Sequence, residues 1–317
     1  MSNRDTSTRG SAAALSDRGT LIAFVLMVVL AGGSPVAVRL SGARLPPFWG
    51  AALRMAGAAL VFWGVVLLRR LALPRGRALA GAVLYGLLSV GMAYAFLYWG
   101  ILRAPASLAG AMLAFVPLLV LLFASAHGLE TLRWQGLLGA LIATAGVLIG
   151  VVRGLGGAVP ATSVLALLAG VAFLAEGWVV FKLFPKSNPV VTNALAFTAG
   201  TPLLVVLSLL AGETWSLPNT ATTWASLAYL VLLGSVVAFY LYVHVLSRWT
   251  ASAASYSFLL IPVVTVVVAA WLLGEVITTS FLLGAALVLA GVWIGAIRSS
   301  PKAVELTCSP TPNKAIC

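Results

Sequence analysis

Apolar residues in this chain run on in stretches of about 20 positions. That is long enough to cross the hydrocarbon of a bilayer as helices rising about 1.5 Å per residue. Short polar connections separate the runs. Ten spans are predicted, at 20–39, 47–68, 78–101, 106–126, 134–152, 162–182, 189–210, 222–247, 251–273 and 280–297. The runs are continuous rather than alternating and too long for barrel strands, so the predicted fold class is an all-α polytopic membrane protein. Residues 1–19 are polar and rich in Ser, Thr and Arg, which predicts disorder there, and residues 299–317 predict a loose tail. The start also imitates a secretory leader, with Arg18, an apolar run and then Ala31-Gly32-Gly33-Ser34. An uncleaved first span is the better reading, because an internal repeat needs it as the first of five helices.

That repeat is direct. Leu137 to Arg153 reads LLGALIATAGVLIGVVR and Leu282 to Arg298 reads LLGAALVLAGVWIGAIR, identical at 10 of 17 positions. The same offset of 145 carries Glu130 onto Glu275, Pro117 onto Pro262, Ser107 onto Ser252 and Arg103 onto Arg248. Shared hydrophobic composition does not account for matches at charged, Pro and Gly positions. Two units are expected, 20–153 and 162–298. Five spans is an odd number, so the second unit is inserted upside down relative to the first. In a membrane chain, such duplication is the architecture of carriers whose site lies between related halves.

Composition and charge narrow the reading further. Hydrophobic residues make up 62% of the 317 positions, charged residues 8%, and mean hydropathy is +1.09. A soluble domain would need more polar surface. The net charge of +12 does not point to nucleic acid, because the basic residues sit at the ends of spans. With the N-terminus inside, 14 of the 19 Lys and Arg fall at the cytoplasmic ends, while Arg39, Arg44, Arg103 and Arg153 lie opposite and Arg54 lies inside a span. Both termini are therefore predicted cytoplasmic. Cys308 and Cys317 lie in the tail without metal-ligand spacing. His127 and His244 stand in separate segments. There is no HExxH, no P-loop and no paired-carboxylate site, and Gly154-Leu155-Gly156-Gly157 lacks the strand-to-helix context of a nucleotide loop. Neither an enzyme nor a cofactor or metal is expected.

Leu45-Pro46-Pro47 precedes Ala52-Leu53-Arg54 at the opening of span two, and Glu130 and Glu275 follow spans four and nine, each before a Gly-rich helix. This combination resembles the EamA-type branch of the drug/metabolite transporter superfamily across residues 18–300 and, within it, bacterial inner-membrane amino-acid exporters of the YddG type. The resemblance implies ten transmembrane helices in two inverted five-helix repeats, a central cavity open to one side at a time, and efflux of small metabolites. One departure is Gly33-Ser34-Pro35 where many relatives carry a Trp-Gly pair, which marks Gly33 and Pro35 as hinge candidates.

Several residues could carry transport. Pro117 and Pro262 lie at equivalent places in spans four and nine, where proline removes a backbone hydrogen bond and kinks the helix; proline is also simply tolerated in membrane helices. Glu176 is the carboxylate well inside a span, placed to bind an ammonium, carry a proton or brace helix six. Arg54 is the matching cation, either for a substrate carboxylate or as a structural donor to helix-end carbonyls. Tyr94 and Tyr98 share a helix face and suit a cavity for apolar or aromatic side chains, with the interfacial aromatic belt as the alternative. Tyr240 and, more weakly, Trp178 complete the expected substrate set. Gly146 with Gly150, and Gly291 with Gly295, let helices five and ten approach each other or a neighbouring protomer. The expected function is export of small zwitterionic metabolites, amino acids among them. Efflux of lipophilic cations and an integral-membrane enzyme acting on a lipid-linked substrate are the alternatives.

Overall fold

A computed structural model of the chain describes residues 5–42, 45–101, 112–132, 134–152, 160–273 and 279–294. Arg103, Ser107, Arg153, Glu275, Gly295, Arg298, Cys308 and Cys317 lie outside the described residues, as does the side chain of Gly150.

The ten spans follow the apolar runs. Span one is two helices, Asp5–Gly32 and Ser34–Gly42. Its first helix reaches back into the polar segment read as disordered, where Ala12, Ala13, Ala14 and Leu15 favour helix. Span two is Pro47–Leu68, and span three joins Arg77–Gly86 to Ala93–Ile101 through a π-helical turn at Leu87–Met92. Span four is described over Val116–Ala126 and span five is Trp134–Val152. In the second repeat, span six is Ala161–Leu183 and span seven is Pro189–Leu210. Span eight joins Ala221–Val231 to Ala238–Arg248 through a π-helical turn at Leu232–Val237. Span nine is Ala251–Ser255 and Ser257–Leu273, and span ten is Thr279–Val292.

The two π turns fall at the same offset of 145 that relates the sequences. The duplication thus extends to a local irregularity that hydropathy cannot show. Helix pairing follows the same symmetry. Span two packs along seven and five along ten, each a helix against its own repeat partner. Span one packs on eight and nine, and six packs on three and four, which is the same pair of contacts with the repeats exchanged. The two repeats are therefore interlocked, and the core they bury includes Met55, Phe62, Tyr85, Trp178 and Phe197. Leu60, Leu141, Leu283 and Trp293 point outward, as a hydrocarbon solvent permits.

The glycines read as a possible oligomer face are occupied within the chain. A Cβ on Gly146 would lie 2.6 Å from Gly284 O, and one on Gly291 would lie 2.5 Å from Gly139 O. Spans five and ten use these positions to bring their backbones together, so Gly146 and Gly291 are not free to seat another protomer.

Candidate substrate site

The site is built on span two. Pro46 and Pro47 start this helix, and its first free N–H groups are met from the other repeat. Glu213 accepts from Phe48 N at 3.1 Å and Trp49 N at 2.7 Å. Trp49 stacks on Trp215 at 4.6 Å and donates its indole N–H to Ser216 O. This clamp fixes the register in which Arg54 meets span eight.

Arg54 is 4% exposed. Its Nε donates to Ser235 Oγ at 2.8 Å and its Nη2 to Gly234 O at 2.9 Å, both in the π turn of span eight. A π turn widens the helix and re-aims backbone groups inward, which presents this acceptor pair. The guanidinium carbon lies 5.5 Å from the centre of the Tyr94 ring, and the hydroxyls of Tyr98 and Tyr229 are close by. Among the described residues no carboxylate pairs with Arg54. A cation inside a membrane costs about 2.5–3.5 kcal/mol or more when left alone, so a site that keeps one is built to use it. The hydroxyl of Ser34 is buried in the same place without a hydrogen-bond partner, beside Gly234.

Aromatic rings wall the same region. Tyr94 and Tyr98 do share a face, with centroids 6.0 Å apart, and Tyr94 continues to Phe239, Phe197 and Phe62. Tyr240 is not part of this wall. It lies exposed beside His244, and Tyr242, two positions on, is the buried member.

Glu176 stands elsewhere. Its Oε1 faces His127 Nε2 at 3.3 Å, and the two side chains keep 28% and 35% of their surface. This contact joins span six to the end of span four, near the end carrying Lys182, Lys186 and Arg248. His127 Nδ1 faces Phe123 O at 2.9 Å. At the same end Glu130 Oε1 accepts from Ser252 N at 3.1 Å, capping span nine from the first repeat. Trp178 is buried with its ring against Tyr242 and Phe258.

The hinge candidates divide. Gly33 is a break in span one, where the second helix restarts with Pro35 inside its first turn. The carbonyls of Leu30 and Gly32 there accept from Tyr229 Oη and Thr265 Oγ1 at 2.8 and 2.7 Å. Pro117 begins a helix that restarts after a turn, whereas Pro262 lies inside a continuous helix.

A family model described as "EamA-like transporter family" matches residues 18–152 and again residues 161–296. The chain belongs to the EamA-like transporter family. Relatives in it include a "Probable amino-acid metabolite efflux pump" of Salmonella typhimurium, 30% identical over 85% of this chain and 92% of that protein. A "Probable terminal-alkyne amino-acid exporter" of Streptantibioticus cattleyicolor is 30% identical over 70% of this chain and 74% of its own. An uncharacterized inner membrane transporter of Escherichia coli, YedA, is 27% identical over 81% and 83%. One solved crystal structure shares the EamA fold, with TM-score 0.73 at 20% identity over 89% of this chain and 97% of that one. The chain is thus a multi-pass membrane transporter, not an enzyme.

Proposed function

We propose that this EamA-family chain exports small zwitterionic metabolites, apolar and aromatic amino acids among them, from the cytoplasm across a bacterial inner membrane. One observation carries the reading: Arg54 is buried at the seam of the two repeats, held by Ser235 and Gly234, with no carboxylate of the described protein to neutralise it. Two of its five N–H groups are engaged, which leaves donors for a substrate carboxylate. The rings of Tyr94, Tyr98, Phe239 and Phe197 then meet an apolar side chain. Neutralising Arg54 lowers the cost of moving the site through hydrocarbon, so substrate binding favours exchange between the two orientations of the interlocked repeats. The names of the two amino-acid relatives point the same way. The basic residues place both termini in the cytoplasm.

Counterflow of radiolabelled amino acids in proteoliposomes tests this. Saturable exchange is expected, and a folded Arg54→Gln variant should lose it. Equal exchange by that variant would sink the reading. The part-exposed carboxylate of Glu176 favours a second reading, efflux of lipophilic cations, so the panel includes organic cations. Transport of cations that survives Arg54→Gln would support it.

A further inference from the structure

Five buried polar atoms without a hydrogen-bond partner gather in one part of this molecule. They are Tyr85 Oη, Trp178 Nε1, Tyr242 Oη and both side-chain amide atoms of Asn193. All four residues are nearly sealed, at 0%, 2%, 4% and 0% exposure. They are mutual neighbours from spans three, six, eight and seven. Trp178 and Tyr242 have centroids 4.5 Å apart, and Phe258 lies 4.6 Å from Trp178. Tyr85 packs on Phe181 at 5.6 Å, with its hydroxyl close to Trp178 and Tyr242 but outside hydrogen-bonding geometry. Asn193 sits one turn before Ala196, whose backbone presses on Gly86 beside Tyr85.

An orphaned buried polar group costs about 1–3 kcal/mol. Natural cores avoid even one such group, so four residues concentrating them across the seam between repeats mark a place that is built to be filled. Nothing charged stands among them. Two hydroxyls and an amide oxygen offer acceptors, and the faces of Trp178, Tyr242, Phe258 and Tyr85 offer negative π density. A carboxylate finds no cation here. An ammonium finds both acceptors and ring faces.

We propose that Tyr85, Trp178, Tyr242 and Asn193 form a second substrate subsite, which takes the ammonium group of the transported amine. The subsite is closed in this structure and opens as the repeats part. It rests on the transport reading and names the amine end of the substrate, as Arg54 names the acid end. Tyr85 is linked to Arg54 through Tyr94, so the subsite lies on the approach to the guanidinium from the end carrying Lys182 and Lys186.

The decisive property is that a structural role and a binding role predict opposite signs. Tyr85→Phe and Tyr242→Phe each delete an oxygen that bonds to nothing in the closed state. Both variants should therefore be as thermally stable as the native protein or more so. Each should nevertheless raise the apparent KM for counterflow of an apolar amino acid about tenfold, the loss of one hydrogen bond to a charged group. For the deaminated carboxylic acid of the same side chain, KM should not change, because that compound has no ammonium to lose. Trp178→Phe keeps a ring and should give a smaller rise. If the wild type shows no counterflow, the transport reading fails. If the wild type is active and stable Tyr→Phe variants match it, or slow the amino acid and its deaminated analogue equally, the ammonium subsite is overturned. Should either variant fail to fold, Asn193→Leu gives the same comparison.

Discussion

Glu213 holds the backbone N–H of Trp49 at 2.7 Å across a sequence separation of 164 residues. The carboxylate also takes Phe48 N–H and the Ser208 hydroxyl, so it caps span two of one repeat from the end of span seven in the other. Glu130 does the converse at the opposite end, capping span nine on Ser252. Each cap bridges the repeats, one on each side of Arg54. Helix caps are worth about 0.5–2 kcal/mol. Glu213→Ala should lower stability by about that amount in a detergent thermal-melt series. Glu213→Gln, which keeps acceptors but loses charge, should fall between. An unchanged melting temperature for the alanine variant would show that the cap does not hold the outer clamp.

Spans five and ten give the second prediction. Gly291→Ala puts a methyl against Gly139 O and Ala143 N, both backbone atoms that cannot rotate away. The helices must separate, at a cost of about 1–3 kcal/mol. Gly64→Ala is the control, since a Cβ there meets nothing within 4 Å, and alanine is the better helix former by about 1 kcal/mol. Opposite shifts in melting temperature are expected. A fall in both would mean that Gly64 faces something the chain alone does not contain.

The spans are legible in the sequence because burial in hydrocarbon needs unbroken apolar runs, and the repeat is legible because Pro117 and Pro262, and Gly146 and Gly291, are tied to backbone geometry that both halves keep. Arg54, Tyr94 and Tyr98 stand out because a cation and paired hydroxyls inside apolar runs are costly. Their acceptors do not. Ser235 and Gly234 lie 181 and 180 residues from Arg54, and only the folded seam brings them together. The π turns leave no hydropathy trace, although LLSVGM and LLGSVV stand at the repeat offset. Tyr240 and Tyr242 read alike in sequence, and only the phase of the helix, altered by that same turn, decides which is buried.

The pair His127–Glu176 gives the third prediction. At 3.3 Å and about a third exposed, it gains from charge but is screened by solvent. A double-mutant cycle of His127→Gln and Glu176→Gln should return a coupling below about 1 kcal/mol. Transport should suffer more than stability in Glu176→Gln. If the coupling proves large and transport is untouched, Glu176 braces helix six and does nothing further.

The break in span one supplies the fourth. A side chain on Gly33 would overlap the Tyr229 hydroxyl, which itself donates to Leu30 O one turn back. Gly33 is therefore small because Tyr229 crosses there, and the glycine and the tyrosine secure one crossing of the two repeats. Gly33→Ala should impair both stability and transport. Tyr229→Phe alone should lose about 1 kcal/mol with its hydrogen bond. Combined, the two should be better tolerated than their sum, because the phenylalanine removes the oxygen that the new methyl strikes. A cycle measured on melting temperature and on counterflow should show that non-additivity in both. Strict additivity would place the role of Gly33 in backbone freedom at the break, and Ser34→Ala, which leaves that backbone alone, should then be neutral for stability.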